Sequence, residues 1–376
     1  MSDHSAPDHS IHRRFIAPSA YVQGPGALTD AGEEFGALTG ERAYVLGGKT
    51  ALAETEKALI KSIEAGGLSV TAVEDGVDRC TVETIEAQVD RAGDHEADVL
   101  VGVGGGVAID VATAVAETLG AEVVSVPTIA STDAPCSVIS VVYDDEGNFR
   151  EVRKRAHNPE LVLVDTAVIA RAPARFLRHG MGDAMATGFE AWASATTDAS
   201  TAAGGRPSHA ASLIAEEAYR RVAEYGTDAL AAAERNAVTP AFERVVEGNT
   251  LLSGIGFESG GTAGAHAIQV GLTNTGVREP HGVLVGFGTI AELVLQDRPP
   301  AVFEEAFDVY FEVGLDVTLD ELTVVDDAAL TDDELIGVGE IAMEHGMENE
   351  PISVTPERIA DAIRTADELI RERRAT

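Results

Sequence analysis

The stretch ADVLVGVGGGVAIDVATAVAETLG, residues 97–120, runs from an apolar segment through three glycines into a second apolar segment. The first segment predicts a buried strand, and the second predicts a helix that ends at Gly120. Gly104, Gly105 and Gly106 predict a tight turn, where the backbone can approach a ligand and the helix N-terminus can receive a phosphate. The spacing differs from the usual GxGxxG pattern, so a turn without a ligand remains open on these residues alone.

Short apolar segments on both sides of this stretch alternate with helical ones. The predicted strands are AYVLG (43–47), LSVTAVE (68–74), EVVSVPTIAS (122–131) and LVLVD (161–165), and the predicted helices include TEKALIKSIEAGG (55–67) and TVETIEAQVDRAGDH (81–95). Strands that alternate with helices predict a parallel sheet with helices on both faces. Between the last two strands, SVISVVYDDEGNFREV (137–152) predicts a β-hairpin that turns at Asp-Glu-Gly-Asn.

The pattern changes near residue 170, where alanine becomes frequent and helical periodicity replaces strand-like runs. In the last segment, for example, Thr355 suits the cap of a helix and Pro356 suits its first position. We therefore predict an α/β domain over residues 1–170 and an all-helical domain over residues 171–376.

The composition limits the classes of protein to which the chain can belong. Its 376 residues include 63 Asp and Glu against 27 Lys and Arg, which gives a formal charge of −36. Because such a charge repels phosphate backbones, nucleic-acid binding is not expected. No apolar run reaches the ~18 residues that a membrane span needs, no secretory signal is evident, and two cysteines cannot form a disulfide framework. We therefore expect a cytoplasmic protein that does not bind membranes.

The charged residues also predict a requirement for salt. Only four of the positive residues are lysines, against 23 arginines, and the acidic residues are spread along the whole chain. Such a surface suits a halophilic protein, because at ~1 M salt the Debye length is about 3 Å and the mutual repulsion is screened. We expect the midpoint of thermal unfolding, followed by circular dichroism, to fall as salt is lowered from molar to about 0.1 M. Undiminished stability at low salt would instead indicate an ordinary acidic enzyme.

Three residues of the helical half are candidates for a metal site. His266 lies within ESGGTAGAHAIQVGL, among small and apolar residues, and His281, in REPHGVLVGFG, lies at the predicted start of an apolar helix. A histidine in such surroundings needs a partner, because burying its polar nitrogens without one is costly. Asp183, in HGMGDAMATGFEA, begins a predicted helix, where a cap is the alternative to a ligand. The three residues show no motif spacing, so a shared site and separate structural roles both remain open on these residues alone.

Three long segments resemble a known family. PTIASTDAPCSVISVVYDDEGNF (127–149), NPELVLVDTAVIARAPARFLRHGMGDAMATGFEA (158–191) and VTPAFERVVEGNTLLSGIGFESGG (238–261) look like the glycerol dehydrogenases, which belong to the superfamily of metal-dependent, iron-type alcohol dehydrogenases. The resemblance runs from about Tyr21 to the C-terminus. It implies an N-terminal nucleotide-binding α/β domain, a C-terminal helical domain, an active site in the cleft between them, and assembly into a homo-oligomer.

The resemblance further implies that Asp183, His266 and His281 bind one divalent metal, usually zinc. Two imidazoles and a carboxylate suit zinc and leave coordination positions open for substrate. Iron-dependent relatives carry a further histidine one helical turn after the aspartate, and Thr187 occupies that position here. Zinc is therefore favoured over iron.

The implied reaction is hydride transfer from a small polyol, glycerol giving dihydroxyacetone, to a nicotinamide cofactor. Asp133, in ASTDAP, matches the family aspartate that meets the substrate, and a turn aspartate before Pro135 is the alternative. The residues that match the family's cofactor contacts are Gly104, Gly105, Gly106, Thr128, Ser131, Ser137, Ile139 and Tyr143.

Two departures from the family pattern leave the choice between NAD and NADP open. The family's glycine loop reads GGGKxxDxxK, whereas this chain has Val107 and Thr113 in place of the two lysines. Gly48 stands where many relatives carry an acidic residue that holds the ribose 2′-hydroxyl and rejects a 2′-phosphate. NAD is still expected, because no arginine cluster for the extra phosphate is evident in the sequence.

Other reactions within the superfamily are alternatives to glycerol oxidation. Three alternative activities remain open: that of a glycerol-1-phosphate dehydrogenase, that of a different small-alcohol dehydrogenase of the superfamily, and that of a lyase similar to dehydroquinate synthase. The lyase is disfavoured because it needs several positive residues in the cleft, whereas no lysine follows Lys154. A non-catalytic relative that binds only metal or nucleotide is a further alternative, suggested by Val107.

Overall fold

The computed structural model of the chain describes residues 12–322 and 329–376. Its strands are β1 (Tyr21–Gly24), β2 (Arg42–Gly47), β3 (Ser69–Glu74), β4 (Val99–Gly104), β5 (Glu122–Pro127), β6 (Ile139–Tyr143), β7 (Phe149–Lys154) and β8 (Leu161–Asp165). Its helices are α1 (Ala27–Asp30), α2 (Gly32–Gly36), α3 (Lys49–Ala65), α4 (Val82–Asp94), α5 (Gly106–Leu119), α6 (Thr166–Ile169), α7 (Ala174–Thr197), α8 (His209–Ala233), α9 (Pro240–Glu247), α10 (Ser253–Gly260), α11 (Gly264–Asn274), α12 (His281–Leu295), α13 (Pro300–Glu312), α14 (Asp332–Ala342) and α15 (Pro356–Arg374).

Six of the strands form one parallel sheet, in the order β1-β8-β5-β4-β2-β3. β4 lies between β2 and β5, and its residue Val101 is in register with Val45 and Val124. Side chains of β4 alternate between two cores, since Val101 packs in one apolar cluster and Leu100 in another. Both faces of the sheet are therefore buried, as the near-continuous apolar strands require, and the predicted α/β class is confirmed.

The predicted strands and the hairpin are present, with small shifts at their ends. β6 and β7 pair antiparallel, as the hairpin prediction requires. The sequence analysis did not predict β1, a half-buried strand of four residues that pairs with β8 at the sheet edge. The helix predicted from residue 55 begins earlier, at Lys49, directly after the Gly47-Gly48 pair that ends β2.

Within the described residues, every strand lies before residue 166, and helices and turns form the remainder. The cap of α15 is as predicted, because Thr355 accepts a hydrogen bond from the backbone N–H of Arg358 and Pro356 begins the helix. The helical character of the second half is confirmed, whereas the domain boundary between residues 170 and 171 stays a prediction.

Two buried side chains of the helical half hold loops that follow the sheet. Asn249, in the π-helical turn Gly248–Leu252, donates hydrogen bonds to the carbonyls of Ala130 and Leu177 at 3.0 and 2.9 Å. Glu258, in α10, accepts a hydrogen bond from the backbone N–H of Val138 at 2.7 Å. These bonds tie the loops after β5 to α7, which carries Asp183, and to α10.

Among the residues that the structure describes, no helix combines the length and the apolar composition needed to cross a membrane.

Candidate metal centre and nucleotide groove

Asp183, His266 and His281 converge at one point of the helical half. They come from α7, α11 and α12, and one ligand atom of each lies within 4.8 Å of the others. Asp183 Oδ1 is 3.5 Å from His266 Nε2 and 3.1 Å from His281 Nε2. In the described part of the chain, this is the one group of three or more His, Cys, Asp or Glu side chains whose ligand atoms lie close enough together to share a metal ion.

Two glycines next to the ligands bring α7 and α12 into direct backbone contact. A Cβ on Gly182 would lie 1.9 Å from the carbonyl oxygen of Gly282, and a Cβ on Gly282 would lie 1.8 Å from the carbonyl oxygen of His179. No side chain fits at either position, so the two helices cross at the residues that precede Asp183 and follow His281. The small-residue composition around Asp183 therefore serves this close crossing.

The prediction that Asp183 begins a helix is wrong. It lies in the interior of α7, which runs from Ala174 to Thr197, so its backbone N–H is within the helix and it caps nothing. Gly180 and Gly182, just before it, are contact points within the helix. His281, in contrast, is the first residue of its helix, as predicted.

The carboxylate of Asp183 shows that these residues fit a divalent metal. The side chain is fully buried, and neither of its oxygens accepts a hydrogen bond in the described part of the chain. A buried carboxylate without hydrogen-bond donors is costly, and a cation between it and the two imidazoles removes that cost. Two nitrogens and one oxygen are donors that suit zinc and leave positions open.

Electrostatics at the centre favour a negative Asp183. Burial disfavours its charged form, but the imidazoles of His281 and His266 outweigh burial and hold the pKa of Asp183 below its ordinary value. Burial also disfavours a charged His266, but Glu190 and Asp183 outweigh it and raise the pKa of His266 well above its ordinary value. An ionised Asp183 favours a cation between its carboxylate and the two imidazoles.

Glu190 supports His266 from behind and was missed by the sequence analysis. His266 Nδ1 lies 2.6 Å from Glu190 Oε2. Because a carboxylate only accepts, Nδ1 carries a proton, and in the neutral imidazole the Nε2 lone pair is then available to a cation next to Asp183. The sequence could have indicated this role, since Glu190 follows Asp183 by two helical turns, on the same face of the helix and among small residues.

Asp133 is joined to α7 through two buried hydroxyl groups. Ser253 Oγ lies 2.7 Å from Asp133 Oδ2 and 2.8 Å from Thr187 Oγ1, and Thr187 donates to the carbonyl of Asp183 at 3.0 Å. Burial, followed by the charge of Asp183, raises the pKa of Asp133 well above its ordinary value.

The donor and acceptor roles in these three hydrogen bonds depend on the protonation state of Asp133. Two hydroxyls supply only two protons, so all three bonds form together only when Asp133 is protonated and donates to Ser253. When Asp133 is ionised, Ser253 donates to it, and the one proton of Thr187 serves either the carbonyl of Asp183 or the hydroxyl of Ser253. Thr187, at the position of the fourth ligand in iron-dependent relatives, is thus engaged with Ser253 and the backbone.

A groove of about 960 Å³ lies at the carboxyl edge of the sheet, where ligands bind in open α/β folds. Three of the predicted cofactor residues line it, namely Gly104, Gly105 and Thr128. Gly105 precedes α5 and provides no capping side chain, so the first N–H groups of that helix are available to an anion. Val107, which replaces a family lysine, adds an apolar wall.

Positive side chains reach the groove from distant parts of the sequence. Lys49, Arg171 and Arg175 all line it, and whether they meet a 2′-phosphate stays untested, so the preference for NAD stays a prediction. Arg171 is paired with Glu54 at 3.5 Å, and Asp78 contributes a further negative charge to the lining.

The remaining predicted cofactor residues do not line the groove. Ser137 is buried, and its hydroxyl donates to Glu258 at 3.1 Å and accepts from the backbone N–H of Ile139 at 3.0 Å. Its side chain is therefore committed within the protein. The residues outside the lining are Gly106, Ser131, Ser137, Ile139 and Tyr143, and their cofactor role stays a prediction.

Comparisons with known proteins agree with this geometry. Residues 18–166 match the family described as iron-containing alcohol dehydrogenase. Glycolaldehyde reductase of Halobacterium salinarum is 41% identical over 367 residues, which cover 94% of this chain and 97% of that protein. Glycerol dehydrogenase of Thermotoga maritima is 42% identical over 374 residues, covering 96% and 98%.

A solved structure gives the same result in three dimensions. Glycerol dehydrogenase of Schizosaccharomyces pombe superimposes with a TM-score of 0.89 and 33% identity, over 96% of this chain and 92% of that one. The match extends through both the sheet and the helices that carry the candidate ligands.

Proposed function

Because this chain belongs to the family of iron-containing alcohol dehydrogenases, we propose that it is a metal-dependent polyol dehydrogenase that oxidises glycerol to dihydroxyacetone with NAD. The observation that carries the proposal is the buried, unpartnered carboxylate of Asp183 facing two imidazole nitrogens. Zinc is the proposed metal, since Thr187 offers no fourth imidazole.

Each group of the chain has a defined part in this proposal. Asp183, His266 and His281 would hold a divalent ion, which would supply the Lewis acidity that makes a substrate hydroxyl more acidic. Glu190 keeps the Nε2 atom of His266 turned toward the site. Asp133 lies close enough to Asp183 for their charges to interact, and we propose that it holds a substrate hydroxyl. A nicotinamide cofactor held along Gly104, Gly105 and Thr128 would accept the hydride of the substrate carbon, and the hydroxyl proton would leave to water.

Reduction of glycolaldehyde is a second candidate function. The relative from Halobacterium salinarum that bears this name is 41% identical to the chain. The two substrate–product pairs are glycerol with dihydroxyacetone, and glycolaldehyde with the diol formed by its reduction. In both pairs, the carbon next to the one that exchanges hydride carries a second oxygen. One site that holds two neighbouring oxygens therefore suits either pair.

NAD is proposed over NADP on the charges of the groove. Gly48 lacks an acidic side chain, but Asp78 lines the same groove near it, and Glu54 neutralises Arg171. An acidic group near the ribose rejects a 2′-phosphate. Lys49 and Arg175 then remain for the pyrophosphate, in place of the lysine that Val107 replaces.

The test is a spectrophotometric assay in molar salt with a panel of substrates. We expect NADH formation from glycerol and NADH consumption with dihydroxyacetone or glycolaldehyde, both abolished by a chelator and restored by zinc. We expect kcat/KM to be higher with NAD than with NADP. Activity that survives complete removal of metal would refute the metal-dependent reaction, and a strong preference for NADP would refute the proposed cofactor alone.

A further inference from the structure

The N-terminus of α11 is capped by side chains from other parts of the chain. The residue before this helix is Ala263, whose side chain cannot cap. Instead, the four consecutive backbone N–H groups of residues 263–266 donate to three buried glutamates at distances between 2.8 and 3.1 Å. Glu190 accepts two of these bonds, Glu350 accepts that of residue 264, and Glu292 accepts that of residue 265.

Two of these glutamates come from the helices that carry the other metal ligands. Glu190 follows Asp183 on α7, and Glu292 follows His281 on α12. His266 itself lies in the first turn of α11, directly within the capped segment. Each ligand-bearing helix is therefore hydrogen-bonded to the turn that holds the third ligand.

Glu292 and Glu350 form a tight pair on one side of this turn. Gln296 Nε2 donates to both carboxyl groups, at 2.8 and 2.9 Å. A Cβ on Gly264 would lie 2.6 Å from Glu350 Oε1 and 2.9 Å from Glu292 Cγ, so the absence of a side chain there lets both approach. Burial, followed by the charge of Glu350, raises the pKa of Glu292, which favours one shared proton over two charges.

We propose that Glu292 and Glu350 are positioning residues of the metal centre, which hold His266 in place through the backbone of Gly264 and Ala265. This inference rests on the metal site of the proposed function. A cap from a neighbouring residue would stabilise α11 alone. Carboxylates from α12 and from the segment after α14 also fix where the first turn of α11 lies relative to Asp183 and His281. Ligands held in advance bind a metal more tightly, because less ordering accompanies binding.

The test measures metal binding in the absence of alcohol and cofactor. Zinc affinity is determined by competition with a chelator in molar salt, and the Co²⁺-substituted protein is examined by its visible absorption. We expect Glu292→Ala and Glu350→Ala to lower zinc affinity by about 10- to 100-fold and to change the Co²⁺ spectrum. Glu292→Gln keeps an oxygen that accepts from Ala265, so it should retain most of the affinity and the wild-type spectrum.

Asp367→Ala is the matched control. Asp367 is also a buried carboxylate of the helical half that accepts a backbone hydrogen bond, from Leu319 at 2.8 Å, but it lies on α15. Its loss should lower the melting temperature and leave zinc affinity and the Co²⁺ spectrum unchanged. If Glu292→Ala does not fold, Glu350→Asp takes its place, because it keeps the charge but withdraws the carboxylate from Gly264.

The outcomes separate this inference from the proposed function. Folded variants of Glu292 and Glu350 with wild-type affinity and spectrum overturn the positioning role alone, as does an equal loss of affinity in Asp367→Ala. Wild-type protein that binds no divalent metal overturns the proposed function and the positioning role together. Metal binding with the expected pattern, but without dehydrogenase activity, supports the positioning role and refutes the proposed reaction.

Discussion

Asp183→Asn is expected to lose zinc binding and at least about 1000-fold in kcat/KM for glycerol, which corresponds to about 4 kcal/mol of transition-state stabilisation. Asp183 is the one anionic member of the ligand group. Asparagine is similar in size but neutral, so it cannot offset the charge of a divalent ion in this buried pocket. Lewis acidity supplies several kcal/mol in reactions of this kind, and that contribution disappears with the ion.

The same variant has a signature in stability that does not depend on activity. A ligand that binds only the folded state stabilises it, by about 2.7 kcal/mol at 100 times its dissociation constant. Wild-type protein should therefore melt at a higher temperature in zinc than in chelator, whereas Asp183→Asn should melt at the same temperature in both. Asp367→Asn, which removes a buried carboxylate elsewhere, should keep the full response to zinc. A zinc-dependent shift in Asp183→Asn equal to that of wild type would remove Asp183 from the metal site.

The sequence allowed the central strands to be predicted because they are nearly continuous apolar runs, two of which, β2 and β4, end at glycines. β4 is such a run, and its burial on both faces leaves only one consistent interpretation. β1 escaped prediction because four half-buried residues carry no periodic signal, and its pairing with β8 depends on a contact between distant segments. The local sequence pattern was therefore sufficient to predict the central strands but not the edge strand β1.

The candidate site was only partly predictable, for a similar reason. The sequence presents Asp183, His266 and His281 as three unusual residues, but only the packing of three helices places their ligand atoms within 4.8 Å. The helix start predicted at Asp183 was wrong because α7 continues through Gly180 and Gly182. Glycine can either end a helix or allow a close crossing, and composition alone does not distinguish the two. Glu292 was invisible because a glutamate is normally exposed, and its burial depends on partners far along the chain.

Gly282→Ala is expected to disrupt the helical half and the metal centre together. The new Cβ would lie 1.8 Å from the carbonyl oxygen of His179 and 2.5 Å from its carbonyl carbon. Both are backbone atoms of α7, so no side chain can rotate away, and α7 and α12 must separate by more than an ångström. Overpacking of a core typically costs 1–3 kcal/mol, and a rigid clash between two helices lies at or beyond the upper end of this range.

The separation also acts directly on the ligands, because Gly282 follows His281 and its contact partner His179 lies one turn before Asp183. Zinc affinity of the folded fraction should therefore fall, together with a large drop in the melting temperature. Gly337→Ala is the matched control, since Gly337 is a glycine of α14 with no atom within 4 Å of an added Cβ. That variant should be more stable than wild type by about 0.5–1 kcal/mol, because alanine favours a helix over glycine. Equal melting temperatures and zinc affinities for Gly282→Ala and wild type would mean that α7 and α12 do not cross at these glycines, and the metal centre built on that crossing would have to be abandoned.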